Sequence, residues 1–570
     1  MVKPVNELSS LLRMSNISIL RKMVKYAIAI LILFYSCEKE PRIKEVPDPI
    51  VDFWGIDTSS KNNLSTKFDV VVYGGTPAGI MAAIEAKRTG HKVLLINSTE
   101  GYLGGMLTNG LGNTDVIHPT ILGGLSREFF ARVKNYYNEN SNWFIANVPK
   151  YGYNSSVPDL MFKFEPRAAQ TVFRDMLIEN QLDILHNDRL RWDGGVIMDV
   201  DRNIQSIIME SGKKIIGKVF IDASYEGDLM AKAGVSYIVG RESNADFNEK
   251  YNGIRRVSSD NRNQFPTGIN LFGNSLVNPA LEAFGSGDSK IQAYCYRMCL
   301  TDIEQNKVEF SKPLNYEEAD YVLLLEYLKL YRNIPFFDLS MMPNRKTDSN
   351  NSGPFSTDFV GGNYEYPEAD YNLREEIRQK HKTYQQGLMW TLANHPNVPE
   401  NIRNETRRWG LAKDEFVENG HWPYQLYIRE ARRMRGSYTI TEFDCSGSLK
   451  TEYSIALGDY PMDSHIVQRY LDRYGYVQNE GQTMAAVSAP YGIDYRALLP
   501  KESECKNLIV PVCLSATHIA YGSLRMEPIF MTLGQVSACI ASLAIQQDVS
   551  LQKVDYEDIK PVLKTRRMVF

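Results

Sequence analysis

Phe68-Asp-Val-Val-Val-Tyr73 is a short run rich in β-branched residues, and Gly74-Gly75-Thr76-Pro77-Ala78-Gly79 follows it directly. Ile80–Arg88 then reads as a helix, Gly90 stops it, and Lys92-Val-Leu-Leu-Ile96 reads as a second strand. Strand, glycine turn, helix and strand fit within about 30 residues, the context in which a glycine fingerprint specifies a dinucleotide-binding βαβ unit. Gly74 permits the tight turn, and Gly79 lets the helix pack close to the strand. The helix N-terminus then offers backbone N–H groups and a positive dipole end to a pyrophosphate. Thr76 stands where a middle glycine is usual, so its side chain must point away from the phosphates. Asn97 ends the second strand, where a carboxylate is expected to bond the ribose hydroxyls; an amide can replace it, with a weaker bond. The unit commits the chain to an α/β architecture.

The fingerprint alone does not choose between nicotinamide and flavin cofactors. The next segment, Gly101-Tyr-Leu-Gly104-Gly105-Met106, does help. A Gly-Gly turn just past the second strand lets backbone approach a flavin phosphate and ribityl chain, as in many FAD proteins of the glutathione-reductase fold, whereas a nicotinamide enzyme has no need of it. A plain surface loop is the competing structural reading.

The strings VVVYGGTPAGIMAA (70–83), LGGMLTNGLGNTD (103–115), GGLSREF (123–129), FEPRAA (164–169) and FIDASYEGDLMAKAG (220–234) resemble those of a family of FAD-dependent oxidoreductases often found as secreted or lipoprotein enzymes, distantly similar to the flavin subunit of heterodisulfide reductase. The resemblance continues through MPNRKTDSNNSGPFSTDF (342–359), HWPYQLYIREARRMRG (421–436), MDSHIVQRY (462–470) and LIVPVCLSATHIAYGSLRMEPIFMTLGQ (508–535), and so covers about residues 67 to 550. The chain departs from the family at Asn97, where Glu is usual, and at Arg167, where His is common after Glu-Pro. The resemblance implies a glutathione-reductase-like FAD-binding Rossmann domain with an inserted α+β substrate domain. It places FAD on Gly74 to Gly79, Asn97, Gly104, Gly105 and Met106, with Ser515 near the ribityl chain and Met526 and Glu527 near the ring. The relatives' iron–sulfur clusters have no counterpart here, because no run of closely spaced cysteines exists to hold them; none of the seven cysteines forms CxxC, and no zinc spacing is present.

Between these strings, Asp183–His186, Gly195–Val200, Ile204–Glu210 and Lys214–Ile221 alternate or run apolar between turn signals, which predicts a small antiparallel meander. Phe220–Gly227 returns the chain to the parallel sheet, near the adenine end of the FAD in the resembling fold, and Glu226-Gly227-Asp228 opens a helix. Asn507–Val512 reads as a strand, and Glu527-Pro528 opens an apolar helix to Ile545, with proline in the first turn where its missing N–H costs nothing. The expected organisation is a signal peptide (1–36), a tether (37–66), a first FAD-binding segment (67–240), a substrate domain (241–490) and a second FAD-binding segment (491–570).

Charge enters the argument at the N-terminus. The chain of 570 residues carries 64 Lys+Arg and 68 Asp+Glu, so nucleic acid is not a favoured partner. Five of the basic groups lie in residues 1–36, where Arg21-Lys22-Met23-Val24-Lys25 precedes the ten-residue apolar run Tyr26–Tyr35 and then Ser36-Cys37. The run falls far short of the ~20 residues that span a bilayer and reads as a secretory signal. Cys37 resembles the lipid-acceptor cysteine of a bacterial lipoprotein, which implies attachment to the cell envelope through a lipid on Cys37, in the periplasm or on the outer-membrane surface. An uncleaved amphipathic anchor or a plain signal peptide is the alternative. Cleavage before Cys37 leaves 59 basic against 67 acidic groups, a net of −8.

A flavin beside a polar pocket suggests hydride transfer from a carbon bearing a hydroxyl or amine, with a base for the released proton. The expected reaction partners are a small polar molecule, a saccharide on the strength of the resemblance, and an electron acceptor that the sequence does not identify. His465, in Met462-Asp-Ser-His465, is the candidate base; His518 is an alternate base or oxygen ligand, and Arg525 could bind substrate oxygens. Each histidine could equally be structural. Arg345-Lys346-Thr347-Asp348 could also contact substrate or serve as internal ion pairs. His421 and Trp422 are candidate pocket residues, and Tyr364, Tyr366 and Tyr371 would suit carbohydrate stacking. Arg429, Glu430, Arg432 and Arg433 read as charge pairs on a helix face, and Cys295 and Cys299 as two buried small residues on one helix face. A nicotinamide dehydrogenase, a glycan-binding lipoprotein that keeps the fold, and a flavin-dependent lyase or isomerase without net redox are the rival readings.

Overall fold

The computed structural model describes residues 54, 66–99, 101–146, 149–154, 157–255, 263–271, 277–331 and 337–570. The expected signal peptide, and the tether apart from Trp54 and Thr66, lie outside the described residues. Strand β1 (Lys67–Tyr73), helix α1 (Pro77–Arg88) and strand β2 (Val93–Asn97) form the expected unit, with β1 and β2 parallel and Tyr73 opposite Ile96. Helix α2 (Pro166–Glu179) then crosses over and delivers β3 (Asp183–His186) parallel to β2, Asn97 facing His186 in register. This corrects the meander reading of 183–186: a helical crossover returns the chain in the same direction, so the segment becomes a parallel edge strand. The meander itself is β4 (Val196–Met198), β5 (Ile204–Ile208) and the first residues of β6 (Lys214–Asp222). The rest of β6 runs parallel to β1, with Tyr73 opposite Asp222, and a last strand, Leu508–Ile509, joins its other side. The chain reverses its progress across the sheet beside β1, and the crevice above such a reversal is where nucleotide ligands bind in open α/β sheets.

Beyond this sheet, β7 (Met298–Thr301), β8 (Lys307–Val308), β9 (Phe337–Met342), β10 (Lys346–Asn351), helix α3 (Tyr371–Asn394) and β11 (Gly410–Ala412) build most of the region read as a substrate domain. Its five strands are antiparallel in the order β9-β10-β7-β11-β8. Cys299 lies on β7 and Cys295 on an extended bridge to Tyr427, so the two cysteines are buried as expected but share no helix. Arg429–Arg433 is likewise extended rather than helical, because each guanidinium is drawn into a different buried ion pair. Strand β12 (Met462–Ser464) pairs with β13 (Thr483–Ala485) and lies against α4 (His518–Leu524). Gly522 makes that packing possible, since a Cβ there would sit 2.4 Å from the Asp463 carbonyl oxygen. Helix α5 (Glu527–Gln547) is long and apolar enough to span a membrane, yet it is buried in the core against α1. Gly534 is the close-contact point: an added Cβ would meet the Ala78 carbonyl oxygen at 2.1 Å.

Candidate active site

The glycine turn is built as its sequence requires. Gly74 has φ +113°, and a Cβ there would lie 2.6 Å from Ser224 N; at Gly79 a Cβ would lie 1.9 Å from Gly74 O. Thr76 caps α1, its hydroxyl donating to Ala223 O (2.7 Å) and accepting from Gly79 N (3.2 Å), so the side chain turns toward β6 as expected. Pro77 opens the helix and Ala78 is buried against α5. Gly75 faces Asn97, whose Oδ1 would be 2.4 Å from a Cβ at that position. The Asn97 amide donates to Thr99 O and meets His186 Nδ1, both at 3.1 Å, and so ties β2 to β3.

The second glycine cluster docks on the first, Gly104 N donating to Gly75 O (2.7 Å). Met106 N donates to the Tyr225 hydroxyl (3.1 Å), which donates in turn to Glu527 Oε1 (2.6 Å). Glu527 Oε2 is buried with no partner. Burial pushes this carboxyl up to about 8, against the pull of the Tyr225 bond. An unpartnered buried carboxyl oxygen at the N-terminus of α5, between two glycine loops, fits the hydroxyls of a ribityl chain or the polar edge of a flavin ring, so the residues present fit a flavin dinucleotide. Met526 caps α5 and is buried. Ser515 is fully buried; its hydroxyl accepts from Gly436 N (3.1 Å) and meets Thr439 Oγ1 (3.1 Å). A cavity of about 1320 Å³ opens along the C-terminal ends of β2 and β3, walled by Ser98, Thr99, His186 and Glu226 on one side and Tyr366, Tyr371 and Arg374 of the inserted region on the other. Trp422 also lines it. The tyrosines are anchored: Tyr364 to Val467 O, Tyr366 to Glu226 and Tyr371 to Leu190 O.

The three candidate catalytic residues converge on one tripeptide, Asp463-Ser464-His465 at the end of β12. Arg525 NH2 pairs with Asp463 Oδ2 (2.8 Å) and its NH1 donates to the Tyr427 hydroxyl (3.1 Å). His518 is buried, with Nδ1 on Glu430 (2.8 Å) and Nε2 on Ser464 Oγ (3.1 Å). His465 is held by two carboxylates, Asp358 at Nδ1 (2.8 Å) and Asp463 at Nε2 (3.4 Å). Burial would raise both carboxyls, but Arg429 and His465 bring Asp358 down to about 2, and His465 and Arg525 hold Asp463 below its usual range. Tyr427 forms the centre of this chamber, with the guanidinium carbons of Arg297, Arg429 and Arg525 lying 5.9, 4.8 and 5.9 Å from its ring centroid.

Sequence reasoning missed several members. Arg297 makes a two-point bond to Asp348 (2.7 and 2.8 Å) and Arg429 pairs with Asp358 (2.9 Å). Asp115 belongs here too; it ends the string 103–115, and that position after the second glycine cluster was the signal available. Gly110, φ +105°, carries this segment directly over Arg297, whose carbonyl oxygen would be 1.8 Å from a Cβ. Of the Arg345–Asp348 run, only Asp348 reaches the chamber. Arg345 pairs with Asp302, and Lys346 Nζ sits among Glu165 (2.8 Å), Asp414 (2.8 Å) and Glu415 (2.6 Å). Those three carboxylates are close enough together to hold a metal ion, but the buried ammonium occupies their centre. His421 lies outside the chamber, its Nδ1 3.2 Å from Glu415 O.

The model of a family described as FAD dependent oxidoreductase matches residues 69–563. A search of curated protein sequences returns no match. Among solved structures, the chain is similar to a flavin-containing monooxygenase from Stenotrophomonas maltophilia (16% identity over 32% of this chain and 44% of that one, TM-score 0.19). It is also similar to the bacillithiol disulfide reductase of Staphylococcus aureus (16%, 28% and 39%, TM-score 0.18) and to 3-ketosteroid-delta4-(5alpha)-dehydrogenase from Rhodococcus jostii RHA1 (16%, 32% and 51%, TM-score 0.19). The chain spans about half or less of the length of each.

Proposed function

Because the chain belongs to the FAD-dependent oxidoreductase family, with FAD as its cofactor, we propose that it transfers a hydride between a small polar substrate and flavin N5, the substrate being a saccharide oxidised at a hydroxyl-bearing carbon. The observation that carries this reading is the convergence of Arg525, His518 and His465 on Asp463-Ser464-His465, immediately before the N-terminus of the helix that presents Glu527. Bound FAD supplies a two-electron acceptor. The turn Gly74–Gly79 and the α1 N-terminus would hold its pyrophosphate, Gly104–Met106 would let the backbone approach it, and Glu527 would hydrogen-bond a ribityl hydroxyl or the ring edge. The long cavity beside Glu226 takes the adenosine end. The α5 dipole favours negative charge at the ring.

The charges of the chamber favour a neutral polyol over an ion. Arg297, Arg429 and Arg525 are each already matched by a carboxylate, so none of the three is left over to bind an anion. Export and a lipid on Cys37 belong to the same reading, supported by the basic, apolar and Ser-Cys sequence of residues 21–37. Anaerobic mixing of the FAD-loaded protein with a panel of mono- and oligosaccharides tests it. Bleaching of the flavin by at least one sugar is expected; a flavin that stays oxidised with every member overturns the saccharide assignment.

A further inference from the structure

We infer that Asp115 is the group that takes the substrate's hydroxyl proton, and that His465 holds Asp463 and Arg525 in place without acting as the base. The inference rests on the hydride-transfer reading above and names the proton acceptor of that same site. Within the chamber every other carboxylate is committed: Asp348 to Arg297, Asp358 to Arg429 and His465, Asp463 to Arg525 and His465. Both nitrogens of His465 lie against carboxylates, Nδ1 2.8 Å from Asp358 and Nε2 3.4 Å from Asp463, which suits a positioning role. Asp115 makes no hydrogen bond or ion pair of its own among the described residues and is half-buried, whereas Asp348, Asp358 and Asp463 are buried.

The neighbours of Asp115 suit a base. Arg297 and Arg525 lie near enough to act on its charge, as do Asp348, Asp463 and the phenols of Tyr427 and Tyr460. Burial raises its carboxyl to about 6, against the pull of the two arginines, which leaves it ionised but basic at neutral pH. In the step, the substrate's C–H bond breaks and its hydrogen leaves with both bonding electrons, as a hydride, to the bound flavin. Its O–H bond breaks with the proton passing to the Asp115 carboxylate, and a C=O bond forms. The substrate is oxidised by two electrons and the flavin reduced by two.

The test uses the holoprotein and whichever sugar bleaches it. Asp115→Asn should keep its FAD and slow flavin reduction by about 10²–10⁴. It should also lose the wild type's rise in rate through pH ~6, while His465→Asn keeps that rise. Asp115→Ala should recover rate on addition of formate, which replaces a base but not a packing contact. Wild-type reduction rates in Asp115→Asn, or an unchanged pH limb, overturn the inference. Failure of every sugar would overturn the saccharide assignment instead. In that event the inference is read without substrate, from the infrared carboxyl band of the holoprotein: a band titrating near pH 6 and missing from Asp115→Asn supports it, and the lack of such a band overturns it.

Discussion

Lys346→Met tests whether the buried ammonium clamps the start of α2 to the sheet of β7 to β11. Lys346 begins β10 and is fully buried; Glu165 caps α2, and Glu415 follows β11. Methionine keeps the volume but leaves Glu165 and Glu415 without their cation, with only Asp414 still paired, to Arg167. Removing one partner of a buried ion pair costs about 3–5 kcal/mol. The chain can lower that cost by neutralising a carboxyl, at 1.36 kcal/mol per pH unit above its free pKa of about 4.3. At pH 7.5 this gives about 4 kcal/mol for one newly neutralised carboxyl, and at pH 5 about 1 kcal/mol. Glu415 adds little to the difference, because burial already raises it to about 7 in the wild type even with Lys346 beside it. Urea unfolding followed by tryptophan fluorescence should show the variant about 4 kcal/mol weaker at pH 7.5 and close to wild type at pH 5. A loss under 1 kcal/mol at pH 7.5, or the same loss at both pH values, would refute the clamp.

Gly79→Ala should fold but lose flavin, since its Cβ would fall 1.9 Å from Gly74 O and displace the turn; the flavin absorbance near 450 nm per protein should drop at least tenfold, and full occupancy would remove the turn from the cofactor site. Glu527→Gln should change the pH dependence of the flavin-stripped protein. The folded carboxyl keeps its proton to about 8 rather than the usual 4.5, so its contribution is fullest below 4.5 and is lost as pH rises to 8. The variant should therefore match wild type at pH 5 and exceed it at pH 8.5, by at most about 5 kcal/mol; equal urea midpoints at pH 8.5 would count against a buried, raised carboxyl. Cys37→Ala should move the protein from the membrane fraction to the soluble fraction on cell fractionation, and continued sedimentation with membranes would rule out the lipid anchor.

The parts of the fold legible in the sequence are those fixed by neighbours in the chain. The 68–97 unit, the meander of β4 to β6 and the proline-opened α5 each follow from local spacing, and the Thr76 cap was forced by the absence of a third glycine. The inserted region failed that test for a physical reason. Arg429 and Arg433 stand four apart and so carry helical spacing, yet their partners, Asp358 and Glu242, lie far away in sequence, and two buried ion pairs outweigh the few tenths of a kcal/mol that a surface i,i+4 pair contributes. The same holds at the site. His465, His518 and Arg525 could be picked out as polar residues in family-like strings, but their surroundings decide what each can do. His518, closed between Glu430 and Ser464, and His465, held between two aspartates, each have both ring nitrogens against protein groups. Asp115 carried one local sign, its place at the end of the string that follows the second glycine cluster, and nothing that marked it as a base. It matters because Gly110 lays its segment across Arg297 and because every competing carboxylate nearby is already matched, and both are properties of the assembled chamber.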